Sequence, residues 1–348
     1  MSKENKNRVG IPRALYYYIY KPMWVKFFEK IGAQVIISPK TNNTIKTLGV
    51  RFAPDEDCYN SKLYYGHVIS LKKKVDYLFI PRLGSDHPVH VGCPKFISLA
   101  EVIHSMYPEL PELINPYYSQ AKANHGKLRL LMIAFQVGWK FTKNPLKILL
   151  ALRLAVRSQR IFRKKTHFSI EKLHDWEQGK ISEISTLSDL NFKIEKKPLK
   201  VALAAHRYVI HDDFASLNIY NKLRERGIEI ITSEQMPREI IQDEMAKLDY
   251  NFYFEYEREI LGTILYFLRH KTVDGIIQIN TFSCGPDSIA GEVASQYSKR
   301  LKSVTLLQLT FDELTGEAGL NTRLEAFVDM LERKRKKKCP SHFPTLVA

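Results

Sequence analysis

Cys284 lies where a thiol could do chemistry, in a loop between a predicted strand and a predicted helix. The strand is the apolar, β-branched run at residues 273–279, and the helix would be capped by Asp287 or Ser288. In open α/β sheets, ligands bind in the crevice beyond the carboxyl ends of the strands. The amino end of a helix carries partial positive charge, which lowers the pKa of a thiol and favours a thiolate ligand. A small buried cysteine is the simpler alternative for Cys284 taken alone.

Two further cysteines, Cys58 and Cys93, occupy comparable loops and shift the balance toward a shared site. Three thiolates suit an iron–sulfur cluster that leaves one iron open, or a zinc ion with water as its fourth ligand. Their wide separation in sequence is unlike structural zinc sites, which use closely spaced cysteine pairs. The fourth cysteine, Cys339, lies in a basic tail and is left out of the predicted site.

Strands alternate with helices in both halves of the chain, a pattern typical of parallel sheets with right-handed connections. Residues 28–36 and 223–231 both predict a helix, a glycine that ends it, and a strand. A Val-Asp pair precedes a further strand at residues 75–76 and again at residues 273–274. This repetition predicts an internal duplication. We therefore expect an α/β protein of two similar, doubly wound (Rossmann-like) domains that face a central cleft where the three thiols meet.

The predicted boundaries are residues 8–115 for the first α/β domain, 116–197 for a basic and mainly helical insertion, 198–332 for the second α/β domain, and 333–348 for a basic tail. The net charge of +16 is uneven, because residues 121–165 contain 12 Lys and Arg and no Asp or Glu. Such a segment attracts anionic partners such as nucleic acid, a lipid surface or a phosphorylated cofactor. Few aromatic residues are interleaved with the basic ones, which disfavours nucleic-acid binding.

The composition also bears on where the protein works. The first residues are polar, which predicts no targeting signal, and the cytoplasm is therefore expected, where thiols stay reduced. The apolar run at residues 146–156 is interrupted by Lys147 and Arg153. It is shorter than the roughly 20 residues that a transmembrane helix needs. We predict a helix packed on one side, with an interfacial helix as the weaker alternative.

Four motifs resemble those of a known family. They lie at residues 10–15 (Gly-Ile-Pro-Arg-Ala-Leu), 56–59 (Glu-Asp-Cys-Tyr), 282–288 (Phe-Ser-Cys-Gly-Pro-Asp-Ser) and 309–320 (Leu-Thr-Phe-Asp-Glu-Leu-Thr-Gly-Glu-Ala-Gly-Leu). Together they resemble the acyl-CoA dehydratase activase-related branch of the 2-hydroxyacyl-CoA dehydratase superfamily. The resemblance covers both α/β halves and leaves out the basic insertion. It is broken at residues 205–208, where the family has a glycine before an Arg-Pro-Tyr-like turn.

The resemblance implies an oxygen-sensitive [4Fe-4S] cluster held by Cys58, Cys93 and Cys284. It also implies a separate ATP-hydrolysing activator that injects a low-potential electron, and a dimer. The chain would be the cluster-bearing partner, because it contains no Gly-x4-Gly-Lys-Ser/Thr phosphate loop. It would reduce or dehydrate a small molecule, with an acyl-CoA among the candidate substrates, as a reductase or a dehydratase-like lyase. A non-catalytic electron carrier or scaffold, and a basic nucleic-acid-binding protein, are the alternative functions.

Several side chains close in sequence to the cysteines could move protons or tune the potential of a cluster. These candidates are Glu56, His67, His87, His90 and Asp287. Each is otherwise a cap, loop or surface residue. Glu313 and Glu317 are expected to have a structural role, tying a turn to Arg323.

Overall fold

The computed structural model describes residues 7–85, 87–120, 126–181 and 198–338. The predicted tail beyond residue 338, with Cys339, lies outside the described residues, as does the end of the predicted insertion at residues 182–197.

The first half of the chain forms ten elements. In chain order they are β1 (Arg8–Ile11), α1 (Tyr17–Ile31), β2 (Gln34–Ile37), α2 (Asn43–Phe52), α3 (Tyr59–Leu71), β3 (Tyr77–Phe79), β4 (Arg82–Ser85), α4 (Pro94–Met106), β5 (Glu112–Ile114) and β6 (Tyr117–Ser119). Strands β2, β1, β3 and β5 form a parallel four-stranded sheet in that order. Helix α1 ends at Gly32, as predicted, and the glycine has a φ of 103° that favours a residue without a side chain.

The middle of the chain is helical and the second half repeats the α/β pattern. The helices of the middle are α5 (Gly126–Gly138), α6 (Pro145–Thr166) and α7 (Ile170–Glu177). The second half contains β7 (Lys200–Ala204), α8 (Arg207–Ile210), α9 (Ile219–Glu225), β8 (Glu229–Thr232), α10 (Arg238–Ala246), α11 (Glu255–His270), β9 (Gly275–Thr281), α12 (Gly285–Leu301), β10 (Thr305–Phe311) and α13 (Glu317–Lys338).

The two large sheets have the same topology. The second sheet has the order β8-β7-β9-β10, and all its neighbouring strands are parallel. In each sheet the first strand of the half pairs with the second on one side and with the third on the other. The prediction of a doubly wound, Rossmann-like α/β fold is confirmed. A small parallel pair, β4 with β6, was not predicted.

The repeated Val-Asp pair has a structural explanation. In the first half the backbone N–H of Arg8 in β1 donates to the carboxylate of Asp76 at 2.8 Å, and the N–H of Asp76 donates to the Arg8 carbonyl at 3.0 Å. In the second half Lys200 and Asp274 form the same two hydrogen bonds, both at 2.8 Å. Each aspartate thereby joins the start of the first strand to the segment that enters the third strand.

Helix α6 packs along α1, and α5 packs against α6. Ile148, Ala151 and Ala155 of α6 are fully buried, whereas the basic residues Arg153 and Arg157 are exposed. This is the one-sided helix that was predicted for residues 146–156. Among the described residues, no helix is long and apolar enough to cross a membrane.

Polar contacts connect the first and second halves. Asn60 donates to Thr281 at 2.8 Å, and the Lys62 ammonium lies 2.7 Å from the Glu313 carboxylate. Thr41 donates a hydrogen bond to Asp212, and all three of these contacts are at least partly buried. The carboxyl ends of strands from both sheets therefore lie next to each other, together with helix α3.

Candidate functional site

Each of the three cysteines is the residue that immediately precedes a helix. Cys58 precedes α3, Cys93 precedes α4 and Cys284 precedes α12, and each has extended backbone angles. All three thiols are free and half-buried. Helix amino ends present backbone N–H groups without intrahelical partners and a partial positive charge, so these three thiols lie at positions that favour anionic ligands.

Hydrogen bonds tie the three cysteine-bearing loops together at one atom. The carbonyl oxygen of Glu56, two residues before Cys58, accepts a hydrogen bond from the Ser283 hydroxyl at 2.6 Å. The same oxygen accepts one from the Lys95 ammonium at 3.3 Å, and Lys95 also forms an ion pair with Asp57. Ser283 adjoins Cys284, and Lys95 lies two residues after Cys93. The loops of all three cysteines therefore converge.

The pKa values of two of the thiols depend on burial and on neighbouring charges. Burial raises the pKa of Cys93 to about 12, and a thiolate at Cys58 contributes to the increase. Burial raises the pKa of Cys284 as well, and the charges of Asp287 and of a Cys58 thiolate add to it. The prediction that a helix end lowers the pKa of Cys284 is thus wrong for the free thiol, because burial outweighs the helix dipole. A positively charged group bound at the site would favour the thiolates again.

The turn that presents Cys284 is short and strained. Ser283 has a φ of 63°, an uncommon conformation for a residue with a side chain. Helix α12 begins at Gly285, so the predicted cap at Asp287 or Ser288 is wrong. Asp287 instead lies in the first turn of α12, fully buried, where it accepts a hydrogen bond from the Thr281 N–H at 3.1 Å. That bond closes the turn from β9 to α12 beneath Cys284.

A buried group of charges lies directly behind Cys284. The side chains of His206, Glu257 and Asp287 are 4%, 2% and 1% exposed, and their ligand atoms and the Cys284 sulfur all lie within 4.8 Å of one another. The His206 Nε2 is 2.9 Å from an Asp287 oxygen and 3.9 Å from a Glu257 oxygen. These four residues could hold a metal ion.

The protonation of this buried group follows from its pairing. Burial alone lowers the pKa of His206, but the charges of Asp287, Glu257 and Glu259 outweigh burial and raise it to about 9. Burial raises the pKa of Glu257, and the charge of Asp287 adds to this, while His206 opposes it. Tyr208 also lies near this group. Its pKa is raised by burial and, to a lesser extent, by the charges of Cys284, Asp287 and Cys58.

His206 and Glu257 were missed in the sequence. His206 carried one signal, since it follows directly after a predicted strand at the edge where ligands bind. Glu257 lies in the first turn of α11 and had no local signal. Only the packing of α11 against the second sheet brings it to the site.

His67 is buried away from the thiols. It lies nine residues after Cys58, which is about 13 Å along a helix. Its Nδ1 lies 2.8 Å from the Ser38 hydroxyl and its Nε2 lies 3.0 Å from the Thr41 hydroxyl. Burial, helped by the charge of Arg13, lowers the pKa of His67 to about 3, so the ring is neutral. These contacts describe a structural histidine.

His87 and His90 lie together in the loop before Cys93. Their rings stack with centroids 4.0 Å apart, and His90 Nδ1 is 2.8 Å from a carboxylate oxygen of Glu255 in the other half. The three side chains could hold a metal ion. Burial, followed by the charge of Arg258, lowers the pKa of His90 to about 4. Glu56 contributes its carbonyl to the site, and its side chain is exposed.

The partners of Glu313 and Glu317 differ from those predicted. Glu313 pairs with the buried Lys62, and Glu317 pairs with Lys222, which also donates to Asn321 at 2.8 Å. The structural role is as expected, but the lysine partners lie far away in sequence, whereas Arg323 was chosen for being near.

Comparison with protein-family models places most of the chain in a family. A family model described as a CoA enzyme activase uncharacterised domain matches residues 8–236. The matched range includes Cys58, Cys93 and His206, and it ends before Glu257 and Cys284. No curated protein matches the chain.

Proposed function

The chain belongs to the family of the CoA enzyme activase uncharacterised domain, which links it to the acyl-CoA dehydratase activases, and from this we propose that it is an iron–sulfur redox protein. In this proposal Cys58, Cys93 and Cys284 hold a [4Fe-4S] cluster and leave one iron open. The protein receives a low-potential electron from a separate ATP-hydrolysing activator. It then reduces or dehydrates a small molecule, with an acyl-CoA as the first candidate to test.

One observation carries the proposal. The Glu56 carbonyl accepts hydrogen bonds from neighbours of the other two cysteines, Ser283 and Lys95. The loops that carry three cysteines, 35 and 191 residues apart along the chain, thus meet, which supports a shared site. Such an arrangement serves no disulfide, since all three thiols are free.

The donor chemistry fits a cluster. Thiolates are the usual ligands of iron–sulfur clusters, and three helix amino ends favour the negative charge that they carry. The raised pKa values of Cys93 and Cys284 mean that binding must release protons, as thiolate ligation of metals generally does. A tetrahedral zinc ion with one water is the competing occupant of three thiolates.

When bound, a cluster at these cysteines supplies one-electron transfer at low potential. The remaining residues position it and set its surroundings. Asp287 holds the turn that carries Cys284, and the buried His206–Asp287 pair places fixed charges beside that thiolate. Charges and hydrogen bonds around cluster sulfurs are what set reduction potential. Tyr208 is buried nearby, where the charges of Cys284 and Cys58 influence its ionisation.

Metal analysis of the full chain tests the proposal. Anaerobic purification should give a brown protein with about four irons and about four acid-labile sulfides per chain. Cys58→Ala, Cys93→Ala and Cys284→Ala should each lose most of the iron, whereas the matched control Cys339→Ala should keep it. A single zinc without sulfide would overturn the proposal, and so would equal iron loss in the control.

Turnover separates an enzyme from an electron carrier. The reconstituted protein, an activator of this family, ATP and a strong reductant would be incubated with a panel of 2-hydroxyacyl-CoA and enoyl-CoA substrates. Conversion that requires ATP and is lost in Cys284→Ala would show a catalyst. Reduction of the cluster without conversion of any substrate would favour the carrier.

A further inference from the structure

A large cavity lies between α1 and the helices of the basic middle segment. Its volume is about 810 Å³, which is within the range of small-molecule sites. Side chains of α1, α5 and α6 and the segment after β3 line it. None of Cys58, Cys93, Cys284 and His206 is among the lining residues. The cavity is therefore separate from the cysteine site.

The inner walls of the cavity are apolar. Helix α1 contributes Trp24, Phe27 and Phe28, and the facing helices contribute aliphatic side chains such as Ile133 and Val156. Their burial leaves an interior with few hydrogen-bond donors or acceptors. A sugar, a nucleotide base or a peptide backbone would lose hydrogen bonds to water there without replacing them. The interior suits a hydrocarbon chain.

The mouth of the cavity is cationic. Arg160 and Lys164 of α6 and Arg238 of α10 line it and are exposed to solvent, with Glu239 as one acidic neighbour. Within the part of the chain that the structure describes, Arg160, Lys164 and Arg238 form no ion pair with a carboxylate. These cations are available to an anion at the entrance.

Two polar side chains between the mouth and the interior have unused hydrogen-bonding atoms. Gln159 is 6% exposed, and its amide N–H donates to the Ile19 carbonyl at 2.7 Å, which leaves its buried Oε1 without a protein partner. Both ring nitrogens of His167 are also buried without a partner among the described residues. Burial and the charges of Arg207 and Arg238 lower the pKa of His167 to about 4.

We propose that this cavity binds a long acyl chain with an anionic headgroup, the chain against the apolar walls formed by α1, α5 and α6 and the headgroup beside Arg160, Lys164 and Arg238. The apolar interior selects the hydrocarbon, and the cationic mouth selects the charge. Gln159 and His167 offer hydrogen-bonding atoms to the polar group that links the chain to its headgroup. The basic middle segment, which the cysteine site does not use, then has a function of its own.

The primary test measures the binding of palmitate to the full chain by isothermal titration calorimetry. The palmitate concentration is kept below its critical micelle concentration. We expect saturable binding of one molecule per chain. Octanoate should bind at least about a hundredfold more weakly, because each buried methylene adds to the transfer free energy. Hexadecanol, which has the same chain without the charge, should bind about tenfold more weakly than palmitate.

Two kinds of variant locate the site. Val156→Trp and Ile133→Trp add bulk to the walls and should each reduce affinity by at least about tenfold, with thermal unfolding as the check that both still fold. Arg160→Gln should reduce the affinity for palmitate by about threefold and leave that for hexadecanol unchanged. The matched control is Arg157→Gln, an exposed residue one turn earlier on α6 that does not line the cavity.

Separate arms identify the source of the acyl chain. The protein would be incubated with palmitate, with palmitoyl-CoA or with phosphatidylglycerol vesicles, separated from excess, and examined by native mass spectrometry for the mass of the bound molecule. All measurements would be repeated on the Cys58→Ala/Cys93→Ala/Cys284→Ala variant. Unchanged lipid binding by this variant would show that the cavity site is independent of the proposed cluster. The lipid-binding proposal would then stand even if the cluster proposal were wrong.

Three outcomes would overturn the proposal. The first is no saturable binding of palmitate or palmitoyl-CoA. The second is binding that both tryptophan variants leave unchanged. The third is attachment to anionic vesicles without any lipid retained after separation, which would assign the basic segment to a membrane surface instead.

Discussion

The two four-stranded sheets share their framework and differ in what their loops carry. In both, an aspartate closes the start of the first strand, Asp76 in one half and Asp274 in the other. In both, a serine after the second strand accepts a backbone N–H from the loop after the first strand: Ser38 from Arg13 at 2.7 Å, and Ser233 from Ala205 at 3.4 Å. The repetition therefore extends to individual hydrogen bonds.

The loops after the third strand differ most. In the first half the chain runs from β3 through β4 and the His87–His90 turn before it reaches Cys93. In the second half only Phe282 and Ser283 separate β9 from Cys284. The long loop of the first half is held by the second half, because Val91 exchanges backbone hydrogen bonds with residues 253 and 255. The short turn of the second half is held by its own Asp287, which accepts a hydrogen bond from the Thr281 N–H.

The loops after the first strand differ in charge. His206 occupies that loop in the second half and forms the buried pair with Asp287. In the first half the loop after the first strand carries Arg13, whose side chain donates to the Ser38 carbonyl. The Ser38 hydroxyl lies 2.8 Å from Nδ1 of the neutral, buried His67. The comparison teaches that each half repeats the same hydrogen bonds from backbone N–H groups to an aspartate and a serine, and that these bonds set the framework. The site is set by side chains that only one half has.

The largest expected effect comes from breaking the buried pair of the second half. Asp287→Asn removes the negative charge beside His206 and should lower the free energy of unfolding of the metal-free protein by about 3 to 5 kcal/mol. Urea unfolding, performed anaerobically, measures it. The control Glu292→Gln changes an exposed acid of the same helix and should stay within about 0.5 kcal/mol. Equal effects would mean that the pair does not stabilise the second half.

The next effect concerns the contact between the halves. Lys62→Met leaves Glu313 without its buried partner and should lower the free energy of unfolding by about 2 to 3 kcal/mol, since the side chains of this pair are only 6% and 21% exposed. The matched exposed pair is Lys72 with Glu109, where Lys72→Met should change it by less than about 1 kcal/mol. A double-mutant cycle with Glu313→Gln would isolate the interaction, and a coupling near zero would contradict the prediction.

A further effect depends on pH and comes from one histidine of the first half; between pH 6.5 and pH 5 it amounts to about 2 kcal/mol. The pKa of His67 is lowered by burial from 6.5 to about 3, so the unfolded chain takes up a proton first as the pH falls. The contribution of His67 to the free energy of unfolding should be constant above pH 6.5 and should decrease by about 1.4 kcal/mol per pH unit between pH 6.5 and about 3.

The variant His67→Gln tests this assignment. It should remove that part of the slope, whatever its effect on stability at pH 7. His104→Gln, which changes an exposed histidine, should leave the slope as it is. Chemical unfolding at pH 7, 6 and 5 provides the comparison, and parallel slopes for His67→Gln and the unchanged protein would refute it.

The smallest effect compares the two repeated aspartates. Asp274→Ala removes a charge-assisted hydrogen bond at a half-buried position and should lower the free energy of unfolding by about 1.5 kcal/mol. Asp76→Ala removes the same contact at an exposed position, together with an exposed ion pair to Arg8, and should lower it by about 0.5 kcal/mol. Thermal unfolding measures both. The reverse order would show that burial does not set the strength of this contact.

The fold could be predicted because its signals are local. Alternating strands and helices, Gly32 at a helix end, and the repeated Val-Asp pair each depend on residues close in sequence. The strand predicted at residues 273–279 is displaced by two residues, to Gly275–Thr281, because hydrogen bonds along the strand continue to the turn at Ser283. The small β4–β6 pair was missed, since nothing local in these short segments indicates their pairing.

The site was only partly predictable, because some of its residues are brought together by packing between distant elements and have no local signal. Cysteines next to strands and helices are visible in the sequence, and so were Cys58, Cys93 and Cys284. Glu257 comes to the site because α11 packs against β7, which no nearby residue indicates. The apolar cavity likewise requires α1 and α6, more than 100 residues apart, to lie side by side.

The matching strand order of the two sheets bears on how a lopsided centre can arise. In a symmetric pair of identical chains, every substitution appears twice, so a histidine introduced on one side also replaces its counterpart on the other. Tandem copies within one polypeptide are free of that constraint. One copy can keep two thiols while its twin exchanges a loop residue for an imidazole and a matching carboxylate. A protein with two tandem copies in one chain can therefore evolve an asymmetric site of this kind, whereas a symmetric homodimer cannot.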